Sequence, residues 1–213
     1  MRFSENLISW YNISKRDLPW RNTKDPYKIW LSEIILQQTK VSQGMPYYLK
    51  FLKNFPNILD LANSEEDKVL KLWQGLGYYS RARNLHFTAK FIRDNFNGVF
   101  PNNYNDILSL KGVGVYTAAA ISSFAFNLSY PVVDGNVIRV LSRVFGVESE
   151  FDTDPGFQKF YTLALEMLPK HDYATHNQAI MEFGALLCKP KVPLCSNCCF
   201  NENCFALHAN KVG

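Results

Sequence analysis

Apolar residues recur at helical spacing along almost the whole chain, and no alternating strand pattern runs longer than a few residues. That periodicity restricts the chain to an all-α fold class. It predicts helices over 28–41, 80–96, 115–126, 135–145, 157–168 and 173–187. In the first of these, Ile29, Trp30, Glu33, Ile34 and Gln37 fall on neighbouring faces. The stretch SEED (Ser64–Asp67) fits an N-terminal capping box ahead of the apolar residues Val69, Leu70, Leu72 and Trp73. The breaks between helices are short: FPN at 55–57, FPNN at 100–103 and DTDPG at 152–156.

A chain of 213 residues, 47% hydrophobic, is long enough to bury a core as one domain or as two small lobes. No apolar run reaches the ~18 residues of a membrane span. The start, MRFSENLISW, lacks the apolar core and cleavage site of a signal peptide. A soluble, cytoplasmic, monomeric protein is the expectation. The net charge of +4 is too mild to demand a polyanionic partner, but its distribution is uneven. Residues 1–55 carry nine Lys and Arg against four Asp and Glu, whereas ESEFDTD (Glu148–Asp154) is acidic. A basic face suits a phosphate backbone.

All five cysteines lie between Cys188 and Cys204. Cys188, Cys195, Cys198 and Cys204 form C-x6-C-x2-C-x5-C, leaving Cys199 as the odd thiol. Four thiolates so close in sequence can converge on one metal centre, and disulfides are the poorer account in a cytoplasmic protein. The spacing suits zinc and a [4Fe–4S] cubane about equally. A second landmark is LKGVGVYTAAA (Leu110–Ala120), a glycine hairpin between two helices. Gly112 and Gly114 open the backbone there, so a phosphate can approach the N–H groups that begin the next helix. Taken alone, a glycine helix stop is the commoner cause of such a pattern. In PVVDGNVIRV, Asp134 stands just before a helix, where an N-cap aspartate is frequent.

Hairpin, aspartate and cysteine tail, in this order, resemble the endonuclease III superfamily of base-excision DNA glycosylases. Within it the chain is similar to the catalytic region of the MutY-type adenine glycosylases. The matching segments are RDLPWR (Arg16–Arg21), WLSEIILQQTKV (Trp30–Val41), GLGYYSRARNL (Gly75–Leu85), LKGVGVYTA (Leu110–Ala118), VVDGNVIRV (Val132–Val140) and HNQAIMEFGALLC (His176–Cys188). The resemblance implies a two-lobed helix–hairpin–helix fold. One lobe, a six-helix barrel-like domain over 23–130, would carry the hairpin. The other, 1–22 plus 131–213, would hold a [4Fe–4S] cluster on Cys188, Cys195, Cys198 and Cys204. The active site would lie in the cleft between the lobes.

The resemblance also implies chemistry. Double-stranded DNA containing a mispaired adenine would be the partner, and the adenine would be flipped out of the stack. Glu33 would protonate the adenine at N7, its proton held by burial among Trp30, Ile34 and Leu36. Asp134 would stay ionised and stabilise the sugar cation, and Asn136 would orient these groups. Superfamily members that also cut the strand have a lysine at the hairpin position of Tyr116, and a phenol cannot form their Schiff base. A monofunctional glycosylase that leaves an abasic site is therefore implied. Gln178 would read the adenine edge, with Arg16, Trp20, Arg21 and Leu36 lining the pocket. Gln38 and Tyr78 would wedge into the base stack, while Tyr79 would pack in the core. Lys111, Gly112, Gly114, Lys189 and Lys191 would contact the DNA backbone.

Two other readings compete. Thymine or uracil–guanine mismatch glycosylases are similar, but their pattern has an apolar residue at the position of Gln178 and basic residues in place of Gln37 and Gln38. A non-catalytic iron–sulfur DNA-binding or redox module would not need Glu33, Tyr116, Asp134, Asn136 and Gln178 together. Full-length adenine glycosylases also carry a C-terminal domain resembling Nudix hydrolases, which helps recognise 8-oxoguanine opposite the adenine. This chain stops nine residues after Cys204, so that domain is expected to be absent from it.

Overall fold

The structure, a computed structural model, describes residues 2–212, and every regular element among them is helical. In chain order the helices are α1 (Phe3–Ser14), α2 (Pro26–Leu36), α3 (Val41–Asn54), α4 (Ile58–Ala62), α5 (Glu66–Trp73), α6 (Ser80–Asn95), α7 (Tyr104–Ser109), α8 (Val115–Phe126), α9 (Gly135–Phe145), α10 (Asp154–Glu166), α11 (Tyr173–Leu186) and α12 (Phe205–His208). Short 3₁₀ turns lie at Pro19–Arg21, Cys195–Asn197 and Asn201–Asn203. None of the helices is long and apolar enough to cross a membrane. The chain divides into two compact units, Leu18–Phe126 and Met1–Asp17 with Asn127–Gly213.

In the unit Leu18–Phe126, α2 and α8 are buried nearly all round. Every residue of α2 from Ile29 to Ile35 is buried, as is every residue of α8 from Thr117 to Phe124. Ala118, Ala119, Ala120, Ser122 and Ser123 supply little side-chain bulk, so α8 can approach α2 closely. Helix α3 also packs against α2. A Cβ at Gly44 would sit 2.7 Å from Leu36 Cδ2, so the absence of a side chain permits that contact. Helices α4 and α5 pack against α6, and α7 against α8.

The second unit has its own core. Helix α9 buries Val137, Val140, Leu141 and Val144, a stripe at i, i+3, i+4 and i+7. Helix α1 adds Phe3, Leu7 and Tyr11, and α11 adds Ala179, Ile180 and Phe183. Each large apolar side chain here contributes about 1.5–3 kcal/mol through burial. Phe200, in the cysteine tail, stacks on Phe3 at 4.9 Å and meets Phe183 edge-on at 5.3 Å. The tail is thereby pinned to the core of this unit.

Several expectations need correction. The predicted helix over 28–41 stops at Leu36, and Val41 begins α3 instead. Gly44 and Pro46 inside α3 had hidden it, because both residues disfavour helix interiors. No capping box forms at SEED. Glu65 is the N-cap of α5 without a side-chain bond, and Ser64 Oγ donates to Leu61 O at 2.8 Å, closing α4. The break at 152–156 is the first turn of α10. Thr153 caps it, and Pro155 is tolerated there because first-turn N–H groups have no helical partner.

His176, on α11, is 2% exposed and bonded through Nδ1 to Ser4 Oγ at 2.9 Å. Burial lowers its pKa to about 4. Between there and the ordinary value of about 6.5 the unfolded chain binds a proton that the folded chain refuses. Stability is therefore fully present above pH 6.5 and falls as the pH drops towards 4. The linked loss approaches about 3 kcal/mol. Urea unfolding at pH 7 and pH 4.5 should show a stability loss about 2 kcal/mol smaller in His176→Gln than in the unsubstituted protein.

Candidate functional site

The hairpin joins α7 to α8. Gly112 has φ +83°, and a Cβ there would lie 2.9 Å from Asn84 Cβ, so glycine is required on both counts. Gly114 differs: its φ is not left-handed and a Cβ would meet nothing within 4 Å. The open-backbone argument thus holds strictly for Gly112 alone. Thr88 Oγ1 donates to Lys111 O at 2.9 Å and ties the turn to α6. Lys111 is exposed and its Nζ lies 4.6 Å from the Phe87 ring centroid. Tyr116, half-buried, is the second residue of α8. Next to it, Thr117 Oγ1 lies 3.5 Å from Gln37 Nε2.

Glu33 sits in α2 and is 9% exposed. Leu36, half-buried, ends that helix. Gln38 follows with φ 53°, exposed to solvent. Tyr78 has φ 47° and is 68% exposed. These are unusual conformations for residues with side chains. Tyr79 was expected in the core but is exposed, because it occupies the turn that starts α6 and no element covers it. Trp20 is buried edge-on against Tyr48, with ring centroids 5.1 Å apart. Arg21, half-buried, closes the same 3₁₀ turn.

In the other unit, Asp134 is the N-cap of α9. Its Oδ1 accepts from Asn136 N and Val137 N at 2.9 Å each, and its Oδ2 accepts from Asn136 Nδ2 at 2.8 Å. Three N–H donors hold one carboxylate in one orientation at the positive end of a helix. Close packing supports this arrangement. A Cβ on Gly184 would fall 2.7 Å from Asn136 Cβ, so only glycine lets α11 pass so near the start of α9.

Asn136 Oδ1 accepts from Arg139 Nη2 at 2.8 Å. Arg139 also donates to Cys188 O at 2.8 Å and Gly184 O at 2.7 Å. One turn further, Arg143 donates to Lys189 O at 2.6 Å and Pro190 O at 2.8 Å, and its Nη1 lies 3.5 Å from Cys188 Sγ. Sequence reasoning missed both arginines, although 136, 139 and 143 share a helix face. It also missed Glu182, one turn after Gln178 on α11. Glu182 is fully buried and accepts from Arg16 N at 3.0 Å, Nε at 2.7 Å and Nη2 at 2.7 Å. The bond to Glu182 raises the Arg16 pKa further. Removing the Arg16 side chain would take away two charge-assisted bonds to this buried carboxylate and leave the one from its backbone N–H. Gln178, half-buried, accepts from Tyr11 OH at 3.0 Å through its Oε1.

The five cysteines are free thiols. Cys188 and Cys204 are buried, Cys195 and Cys198 half-buried, and Cys199 exposed. Burial pushes the Cys198 thiol up to about 12 and also raises that of Cys188. N–H donors already face two of the sulfurs, Arg143 towards Cys188 and Phe200 N towards Cys198 at 3.4 Å. Among the described residues, no three Cys, His, Asp or Glu side chains converge tightly enough for a single ion. Lys189 is half-buried and Lys191 exposed in the loop that follows Cys188.

Residues 31–161 match the family described as HhH-GPD superfamily base excision DNA repair protein. An adenine DNA glycosylase of Buchnera aphidicola subsp. Baizongia pistaciae is 42% identical over 212 residues, 99% of this chain and 60% of that protein. One from Homo sapiens is 39% identical over 96% of this chain and 39% of that protein. This chain therefore spans about 60% of the length of the bacterial relatives. A thermostable thymine-DNA glycosylase superposes with a TM-score of 0.89 at 30% identity, covering 97% of this chain and 95% of its own. An endonuclease III trapped on DNA superposes at 0.81 with 19% identity, covering 97% and 94%, and shares the fold. With more than half of its length inside the family match, the chain belongs to the HhH-GPD superfamily of base excision DNA repair proteins.

Proposed function

We propose that the chain is the catalytic region of a monofunctional DNA glycosylase that removes adenine mispaired with guanine or 8-oxoguanine. The observation that carries this reading is 42% identity to an adenine glycosylase over 99% of the chain. Glu33, Tyr116, Asp134, Asn136 and Gln178 supply the side chains the reaction needs. Duplex DNA is the partner. Lys111, Lys189, Lys191 and the hairpin around Gly112 and Gly114 are assigned to its phosphates, contacts that position the duplex without reading sequence.

In this reading the adenine is flipped out and read by Gln178, whose amide both donates and accepts. Arg16 is the contact of Glu182, and that pair stiffens the α11 face from which Gln178 projects. Trp20, Arg21 and Leu36 line the pocket. Glu33 gives its proton to adenine N7 as the bond between N9 and the sugar C1′ breaks, so the base leaves neutral. Asp134 faces the positive charge that grows on the sugar. Its three N–H bonds hold it in place before the charge develops, which is the most effective form of electrostatic stabilisation. Water then adds through its oxygen to C1′, one of its protons goes to the Glu33 carboxylate, and an abasic site remains. Tyr116 offers a wall and a hydroxyl beside the sugar and no amine.

Cys188, Cys195, Cys198 and Cys204 are proposed to hold a [4Fe–4S] cluster. Their free thiols, close together in the sequence, and the N–H groups that face two of the sulfurs suit such a centre. Bound there, the cluster would brace the tail through its thiolates and keep Lys189 and Lys191 ordered for phosphate. The purified protein should be brown and contain iron and sulfide at about four each per chain. A colourless protein carrying one zinc would refute that assignment.

The thymine-DNA glycosylase likeness at 30% identity sustains a second reading, removal of thymine opposite guanine. Gln37, Gln38 and Gln178 favour adenine. Single-turnover excision from A·G and A·8-oxoguanine duplexes, with A·T, T·G and U·G as controls, separates the two. Adenine release from the first pair is expected, and release from T·G instead would overturn the adenine reading. Glu33→Gln and Asp134→Asn should each lower excision by about a hundredfold or more while mismatch binding survives. Excision within about tenfold of the unsubstituted protein would remove that residue from its role.

Tyr116→Lys places an amine where the strand-cutting relatives have one. It should allow the protein to be trapped on DNA by borohydride. Efficient trapping of the unsubstituted protein would contradict a monofunctional enzyme.

A further inference from the structure

Arg81 lies in the first turn of α6, 9% exposed, and among the described residues no carboxylate pairs with it. Its position is the wrong one for its own helix, whose N-terminus repels cations. What holds it is a cage of oxygens on two other segments. Nη1 donates to Ile34 O at 3.1 Å, Ile35 O at 3.0 Å, Gln37 O at 2.6 Å and Thr39 Oγ1 at 3.4 Å. Nη2 donates to Leu76 O at 3.4 Å and Gly77 O at 3.3 Å. The guanidinium carbon lies 5.1 Å from the Trp73 ring centroid and 5.7 Å from that of Tyr78.

Two of those oxygens stand out. Gln37 O belongs to the peptide that leads into Gln38, and Gly77 O to the peptide that leads into Tyr78. Gln38 and Tyr78 are both exposed and both held at positive φ, 53° and 47°. Such conformations persist in side-chain-bearing residues only where their surroundings over-determine them. Here one planar cation grips the peptide before each. Trp73 Nε1 reinforces the second grip by donating to Gly77 O at 2.9 Å.

We propose that Arg81 is a positioning residue that couples the two loops. It holds Gln38 and Tyr78 as a preformed double wedge, ready to enter the base stack before DNA arrives. The proposal rests on the reading of Gln38 and Tyr78 as wedges given above. A lysine in place of Arg81 keeps the charge but lacks the planar fork needed to serve both loops at once.

The test uses a duplex with 2-aminopurine beside an A·G mismatch, whose fluorescence reports unstacking whether or not a base is excised. At saturating protein, the unsubstituted chain should raise the signal. Arg81→Lys, and the double variant Gln38→Ala with Tyr78→Ala, should leave it near that of free duplex. Adding Arg81→Lys to that double variant should produce little further loss. Excision from the paired mismatch should fall about tenfold to a hundredfold in Arg81→Lys. Adenine in a bulge, already unstacked, should be excised with a much smaller loss. A purely structural defect would lower both substrates alike.

Full unstacking by Arg81→Lys, or equal losses on both substrates, would overturn the proposal. Excision failing in the unsubstituted chain while unstacking persists would overturn the glycosylase reading and leave this one standing. Should Arg81→Lys not fold, amide exchange in the unsubstituted chain decides. The N–H groups of Thr39 and Leu76, which donate to Leu36 O and Trp73 O, should exchange slowly in the free protein and change little on DNA binding. Fast exchange that slows only on binding would mean that DNA, and not Arg81, orders the loops.

Discussion

The bond between the Asp134 carboxylate and the first turn of α9 is the contact on which most of its unit depends. One side-chain oxygen satisfies two backbone N–H groups that would otherwise lack partners, and the other is fixed by Asn136. A structural cap and a proposed catalytic carboxylate are here the same group. Capping also fixes the direction in which that carboxylate points. Helix α9 then extends the consequence along its length. Its apolar stripe enters the core, and its polar face carries Arg139 and Arg143 to the backbone carbonyls that open the cysteine tail.

Backbone carbonyls recur as the partners of buried and half-buried cations in this molecule. Arg81, Arg139 and Arg143 bind mainly carbonyl oxygens at the ends of helices and in turns, where such oxygens lack helical partners. A guanidinium meets several of these at once because its donors are fixed in a plane. Irregular segments are thereby tied to neighbouring helices. Arg16 and Glu182 solve the opposite problem, a fully buried carboxylate, by a fork with two parallel bonds.

Much of this was legible in the order of residues. Helices α8 and α9 begin and end where their periodicity says, and the fold class follows from the absence of alternation. Local rules failed where two signals competed. Ser64 serves the end of α4 and not the start of α5, since its hydroxyl reaches Leu61 O. Pro46 and Gly44 masked α3, whose stability comes from packing against α2 that no propensity records. Tyr79 looked like core because it is aromatic, but its place is a turn.

By itself the sequence determined the helical class, the hairpin, the cap at Asp134 and the set of four cysteines, because each depends on residues near one another in the chain. The tertiary structure alone decided the partners of Arg16, Arg81, Arg139 and Arg143. It alone decided that Gly184 must be glycine to admit Asn136, and that the peptides before Gln38 and Tyr78 share one guanidinium. Most of these contacts join residues tens of positions or more apart. Hydrogen bonding over such separations depends on which helix faces meet, and periodicity says only that a face exists.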